Sequence, residues 1–153
     1  MQLSQHFSLD EFLVSEWMAR RGFMITPSDA DIENLTRLCR TVLEPLRRDL
    51  SAPIVVTSGL RPVELNTAIG GSKTSDHITG SAADIRAIGC TPLFIAMTVE
   101  ELKLPVKQVI HEFGRWVHLS VPPDGAVPGM QALTATAGKN GTEYNHGIHP
   151  VNV

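Results

Sequence analysis

The chain has 153 residues, a formal net charge of −3 and two cysteines. That length suits one domain able to bury its own core, and the slightly acidic balance without any basic tract speaks against nucleic acid as a partner. Two cysteines are too few for a disulfide framework, and no apolar run approaches the roughly 20 residues of a membrane span.

The opening residues Met1-Gln2-Leu3-Ser4 lack the charged and apolar regions of a secretory signal, so a soluble chain made in the cytoplasm is expected. Ser8 and Glu11 form a capping box at the start of a first helix, with Phe7 as its staple. Phe12, Leu13 and Trp17 supply that helix with an apolar stripe, and Gly22 fits its C-terminal cap. A second helix is expected from Asp29, capped by Ser28, to Leu50. Ile32, Leu35, Leu38, Cys39, Val42, Leu46 and Leu50 fall at helical spacing there. Pro45 lies inside this pattern and should kink or break it, because it removes one backbone donor. The arginines on the opposite face, Arg37, Arg40, Arg47 and Arg48, read as solvated surface.

Ile54 to Thr57 is a β-branched run and reads as a buried strand. It delivers Ser58-Gly59-Leu60-Arg61-Pro62, and Pro62 suits the first turn of a short helix through Ala68. A polar loop from Gly71 to Thr79 leads to a strand at Ala82 to Arg86. Thr91-Pro92 opens a helix from about Leu93 to Leu102. Val106 to Glu112 and Arg115 to Val121 then read as an antiparallel hairpin turning at Gly114. Residues 122–153 have weaker periodicity and read as a less regular C-terminal extension. Leu133 to Thr136 and Thr142 to Tyr144 suggest a small hairpin around Gly138 to Gly141, with His146 to Val153 loosely held. His146 and His149 read as solvent-facing side chains with no metal role.

The chemistry concentrates between Ser75 and Asp84, in Ser-Asp-His-Ile-Thr-Gly-Ser-Ala-Ala-Asp. Gly80 permits a turn, so that Asp84 on the following strand points back towards His77. Small residues at Ser81, Ala82 and Ala83 leave room beside them. Imidazole nitrogen with carboxylate oxygen is a ligand set suited to zinc. A third ligand is offered by His118 in Gly114-Arg115-Trp116-Val117-His118-Leu119-Ser120, where apolar and polar residues alternate with the period of a strand. A catalytic zinc commonly keeps three protein ligands and one open position. His77, Asp84 and His118 give that count.

The run Ser-x-His-x-x-Gly-x-Ala-x-Asp followed by Trp-Val-His resembles the zinc D-Ala-D-Ala carboxypeptidase family of the hedgehog/DD-peptidase fold. The likeness is greatest to its short phage-type members, which share a Ser-Gly-x-Arg-Pro-x-x-x-Asn segment standing here as Ser58 to Asn66. It extends from about Phe7 to about Thr136. The resemblance implies a Zn2+ peptidase acting on peptidoglycan stem peptides, with Arg61 gripping a substrate carboxylate and Ser75 as a second substrate-binding group. The planar fork of Arg61 is itself suited to a carboxylate.

Such a peptidase needs a general base. Several members of the family carry an acid three residues before the last histidine, where this chain has Arg115. The nearest carboxylate is Glu112. A three-residue turn at Gly114 to Trp116 would set Glu112 directly across from His118, whereas a two-residue turn would set His111 there. Glu112 is the expected base, with His111 and Asp76 next in line.

Taken together these readings give an α+β single domain, helices packed on a small antiparallel sheet, with zinc at the open face of the sheet. The expected protein is a monomeric endolysin-like cell-wall peptide hydrolase without membrane insertion, acting at the wall after release or as part of a virion. Two other classes remain: a phage tail or virion component that keeps the metal without turnover, and a metal-free interaction domain.

Overall fold

The computed structural model describes residues 1–152; Val153, the end of the segment expected to be loosely held, lies outside them. The capping box at Ser8 and Glu11 forms, but it opens only a 3-10 turn, Leu9–Phe12. Ser15 accepts a hydrogen bond from the Met18 N–H and starts a separate helix, α1 (Glu16–Arg20). The expected single helix is therefore two pieces, because a second capping side chain interrupts the first.

Helix α2 (Asp29–Leu38) and helix α3 (Glu44–Leu50) are joined by a π turn, Cys39–Leu43. The Glu44 N–H reaches the Cys39 carbonyl five residues back. Pro45 thus neither breaks the helix nor kinks it freely. The widened turn restarts the hydrogen-bond ladder so that proline stands in the first turn of α3, where its missing donor has no helical partner to lose.

Six strands make one sheet: β1 (Ile54–Ser58), β2 (Ala82–Ala87), β3 (Gln108–Glu112), β4 (Trp116–Ser120), β5 (Gln131–Gly138) and β6 (Gly141–His146). Their order is β1-β2-β4-β3-β5-β6, and every pairing is antiparallel except β3 with β5. Two further helices, α4 (Val63–Ala68) and α5 (Pro92–Glu101), complete the α+β domain.

The period-2 alternation divides the sheet into two unlike faces. One presents Ala83, Ile85, Val109, Val117 and Leu119, which pack with Leu35, Leu38, Val42, Ile95 and Val99 into the main core. His111 also faces this side, buried, and its Nδ1–H donates to the His149 carbonyl at 2.8 Å. The other face carries Asp84, His118 and Glu112, with only a small apolar cluster of Ile110, Leu133 and Ala135 beside them. Polar chemistry is possible there because no helix layer needs that surface for the core.

The turn of the β3–β4 hairpin is Phe113 to Arg115, one residue earlier than expected. Glu112 pairs with Trp116, His111 with Val117 and Ile110 with His118. Neither carboxylate nor imidazole on β3 stands directly opposite His118. Phe113 takes φ 56°, a left-handed conformation unusual for an aromatic residue, and Gly114 takes φ 67°.

Candidate metal centre

Three segments deliver three side chains. The 3-10 turn Asp76–Thr79 carries His77, capped by the Ser75 side chain accepting from the His77 N–H at 3.3 Å. Gly80 closes that turn at φ 70°, packed so tightly on α2 that a Cβ would lie 2.8 Å from the Asp31 carbonyl oxygen. Strand β2 then presents Asp84, and β4 presents His118 directly opposite it in the ladder. The ligand atoms of His77, Asp84 and His118 all lie within 4.8 Å of one another.

The hydrogen bonds decide which atoms face inward. Nδ1 of His77 is 2.7 Å from the Gly59 carbonyl, which can only accept, so the proton of neutral His77 sits on Nδ1. Its Nε2 then presents a lone pair to Asp84 Oδ1 at 3.2 Å. The same Oδ1 stands 3.0 Å from Nδ1 of His118. Two acceptors facing one another at that distance repel unless a cation lies between them. Burial disfavours the imidazolium form of His77, and Arg61 and His118 push the same way against the pull of Asp84, so its pKa is lowered. Burial also opposes the charge on Asp84, but the hydrogen bond from His118 and the flanking imidazoles outweigh it and hold the carboxyl well below the usual range. An ionised carboxylate beside a lone pair that is reluctant to take a proton is a donor set that fits a divalent metal.

Glu112 lies diagonally across the hairpin from His118 on the same face, with Oε1 4.0 Å from His118 Nδ1. Burial, followed by the neighbouring Asp84 charge, pushes its carboxyl up to about 7. Arg61 is half-buried, with one terminal nitrogen 3.8 Å from Asp84 Oδ2 and the other 3.5 Å from Asn66 Oδ1. Asn66 is itself fixed by donating to the Ser72 carbonyl at 2.8 Å. Burial lowers the Arg61 pKa, countered by Asp84 and Glu112.

The other sequence candidates for the base go elsewhere. Asp76 is engaged by Lys107 Nζ at 2.9 and 3.0 Å, and His111 is on the helix-covered face. Sequence reasoning did not single out the Gly59 carbonyl or Trp116 as parts of the site. Nor did it single out Tyr144, which shares the open face with Glu112 across the small Ala135. Burial and the Glu112 charge raise the Tyr144 pKa. Strand register was the missing signal for Trp116 and Tyr144, which β-pairing brings beside Glu112. Among the described residues, the buried side-chain polar atoms without a partner are Arg61 Nε, Trp116 Nε1 and Ser120 Oγ, all on residues of or beside this site. Unsatisfied groups gather where a ligand is to be met.

A buried imidazole–carboxylate–imidazole cluster on the open face of an α+β sheet, with a further carboxylate beside it, has the make-up of a metallohydrolase centre. The family model described as Peptidase M15 matches residues 5–120, and the chain belongs to that family. M15 peptidases are zinc-dependent, and the cluster is composed as such a site requires. No curated protein matches the sequence.

Proposed function

We propose that this protein is a zinc peptidase that hydrolyses peptidoglycan stem peptides, acting as a monomer at the bacterial cell wall in the manner of an endolysin. The observation that carries the metal is the pair of acceptors, His77 Nε2 and Asp84 Oδ1, facing each other at 3.2 Å. His77, through Nε2, with Asp84 and His118 would hold the ion. Zinc, when bound, polarises a carbonyl and lowers the pKa of water, supplying the Lewis acidity of peptide hydrolysis.

The chain's own groups do the rest. Glu112 accepts the proton released by the attacking water and returns it to the leaving amine. It is the carboxylate beside the ligands that neither binds metal nor is engaged by a lysine. Arg61, oriented by Asn66, offers its unpartnered Nε and its fork to a substrate carboxylate. Ser75, whose oxygen already accepts from the turn, keeps its hydroxyl proton for a substrate carbonyl.

Elemental analysis of protein purified without added metal should give one zinc per chain, falling towards zero in a His77→Ala, His118→Ala double variant. Digestion of purified peptidoglycan should release peptide fragments identifiable by mass. Glu112→Gln keeps the shape and removes the basicity, so zinc should stay while turnover falls by about a hundred- to ten-thousand-fold. A Gln variant as fast as wild type would remove Glu112 from the role.

A further inference from the structure

The tip of the β3–β4 hairpin adjoins a cleft of about 640 Å³ that the reading above leaves unused. Phe113, Arg115, Trp116 and Ala137 line it together with the tail residues Pro150 and Val151. Trp116 is shared between cleft and metal centre. It pairs directly with Glu112, and it precedes His118 by two residues on the same face of β4. The cleft therefore lies beside the site, with one indole between them.

Its walls are held from several directions. The Phe113 and Trp116 rings pack with centroids 5.5 Å apart and tilted by 56°. Phe113 keeps its left-handed φ of 56°, and its N–H donates to the Ala135 carbonyl at 2.9 Å. The tail is tied down where His111 donates to the His149 carbonyl and where the Thr134 hydroxyl bridges Gly147 and His149. The backbone carbonyl of Arg115 is taken by Arg86 Nε at 2.8 Å, which steadies the turn. The guanidinium of Arg115 is exposed, and among the described residues no carboxylate oxygen lies within 4.0 Å of it. Aromatic sides with one exposed cation suit a peptide with small apolar side chains and one carboxylate.

We propose that this cleft is a substrate subsite for a carboxylate-bearing residue, with Arg115 as its cation and the Phe113–Trp116 pair as its wall. The inference rests on the peptidase reading and extends it to the substrate. Arg115, the last residue of the turn, precedes His118 by three residues, about 10 Å at 3.2–3.4 Å per residue. That is the span of roughly three residues of an extended peptide. The acidic residue therefore stands two or three positions from the bond presented to the His77–Asp84–His118 cluster.

The test is binding to zinc-loaded protein carrying Trp17→Phe, which leaves Trp116 as the single tryptophan and fluorescent reporter. The probes are alanine octapeptides whose central amide is replaced by a ketomethylene, so that this position cannot be cut. They differ only in Glu or Gln two or three residues from that centre. The Glu probe should bind about five- to tenfold more tightly than its Gln partner and perturb Trp116 emission. Arg115→Ala should erase the preference, and Arg115→Lys should keep part of it. Equal affinities for Glu and Gln probes, or a preference that survives Arg115→Ala, would overturn the subsite. If ordinary peptides are hydrolysed without any acid preference, the subsite fails and the peptidase stands. If none is hydrolysed yet the Arg115-dependent preference appears, the subsite stands and the peptidase fails.

Discussion

Gly59 bears a constraint that reaches the metal through a single carbonyl. Its oxygen receives the His77 Nδ1–H, while a Cβ on Gly59 would lie 2.5 Å from the Phe12 carbonyl oxygen and 2.6 Å from the Phe12 Cα. The adjoining Leu60 N–H donates to that same Phe12 oxygen at 2.8 Å, so the contact cannot simply open. Gly59→Ala should push the loop off Phe12 or draw its carbonyl away from His77. Either shift frees the imidazole to rotate or change tautomer. Loss of such a supporting partner typically weakens metal binding about 10- to 100-fold. Competition against a chelator of known affinity would measure it, and nitrogen-resolved NMR of His77 would show the tautomer. Unchanged zinc affinity with an unchanged His77 signal would mean that the carbonyl is dispensable. Of all this, the sequence showed the three candidate ligands, because their types and spacing suit a metal site. It did not show Gly59 as their support, because that role comes from Phe12, 47 residues earlier in the chain.

Among the elements, the α2–α3 rod does more than cover the sheet, since Glu44 at the π turn anchors the first residues of the chain. Its Oε1 accepts from the Ser4 hydroxyl and the His6 N–H, both at 2.7 Å, and its Oε2 lies 2.8 Å from His6 Nδ1. Burial pushes the Glu44 carboxyl up, but the hydrogen bonds from Ser4 and His6 outweigh it, and the pKa lies below the ordinary 4.5. A depressed carboxylate stabilises the fold above its unfolded pKa and loses that contribution as pH falls through its folded value. Glu44→Gln should therefore lower stability by about 1–2 kcal/mol at pH 7. The difference between variant and wild type should shrink steadily below pH 4.5. Urea unfolding at several pH values reads this out, and a pH-independent difference would mean that the charge is irrelevant. The rod also shows where pattern reading stops. Apolar spacing marked its length, yet the π turn that accommodates Pro45 leaves no periodic trace. The hairpin shows the same limit: Gly114 was the natural centre for a turn, whereas the turn begins at Phe113, whose backbone is left-handed and whose ring packs beside the Trp116 indole. A one-residue shift moved Glu112 from facing His118 to sitting diagonally beside it.

For the whole molecule, core and site lie on opposite faces of one sheet. Stability rests on the helix-covered side, where Ile85, Val117 and Leu119 are fully buried. Stripping the metal should therefore leave the fold standing, unlike small domains that exist only when metallated. Zinc at about a hundred times its dissociation constant adds close to 3 kcal/mol, so chelation should lower Tm by about 5–10 °C without changing the far-ultraviolet circular dichroism. Most of this architecture was legible, since a β-branched run marked β1, alternation marked β4 and helical spacing marked α2 and α3. β5 and β6 were harder to see, because they are rich in small or polar residues and all of β6 is exposed. The order β1-β2-β4-β3 has a kinetic consequence. Asp84 and His118 stand 34 residues apart in the chain and meet only after β2 has docked on β4 across that separation. A trio assembled by so distant a pairing is expected to form late, and zinc then acts as a latch on a nearly finished structure. Chevron plots should show the unfolding limb slowed by added zinc and the refolding limb unmoved. Refolding accelerated by zinc would instead place the β2–β4 closure at the start of folding.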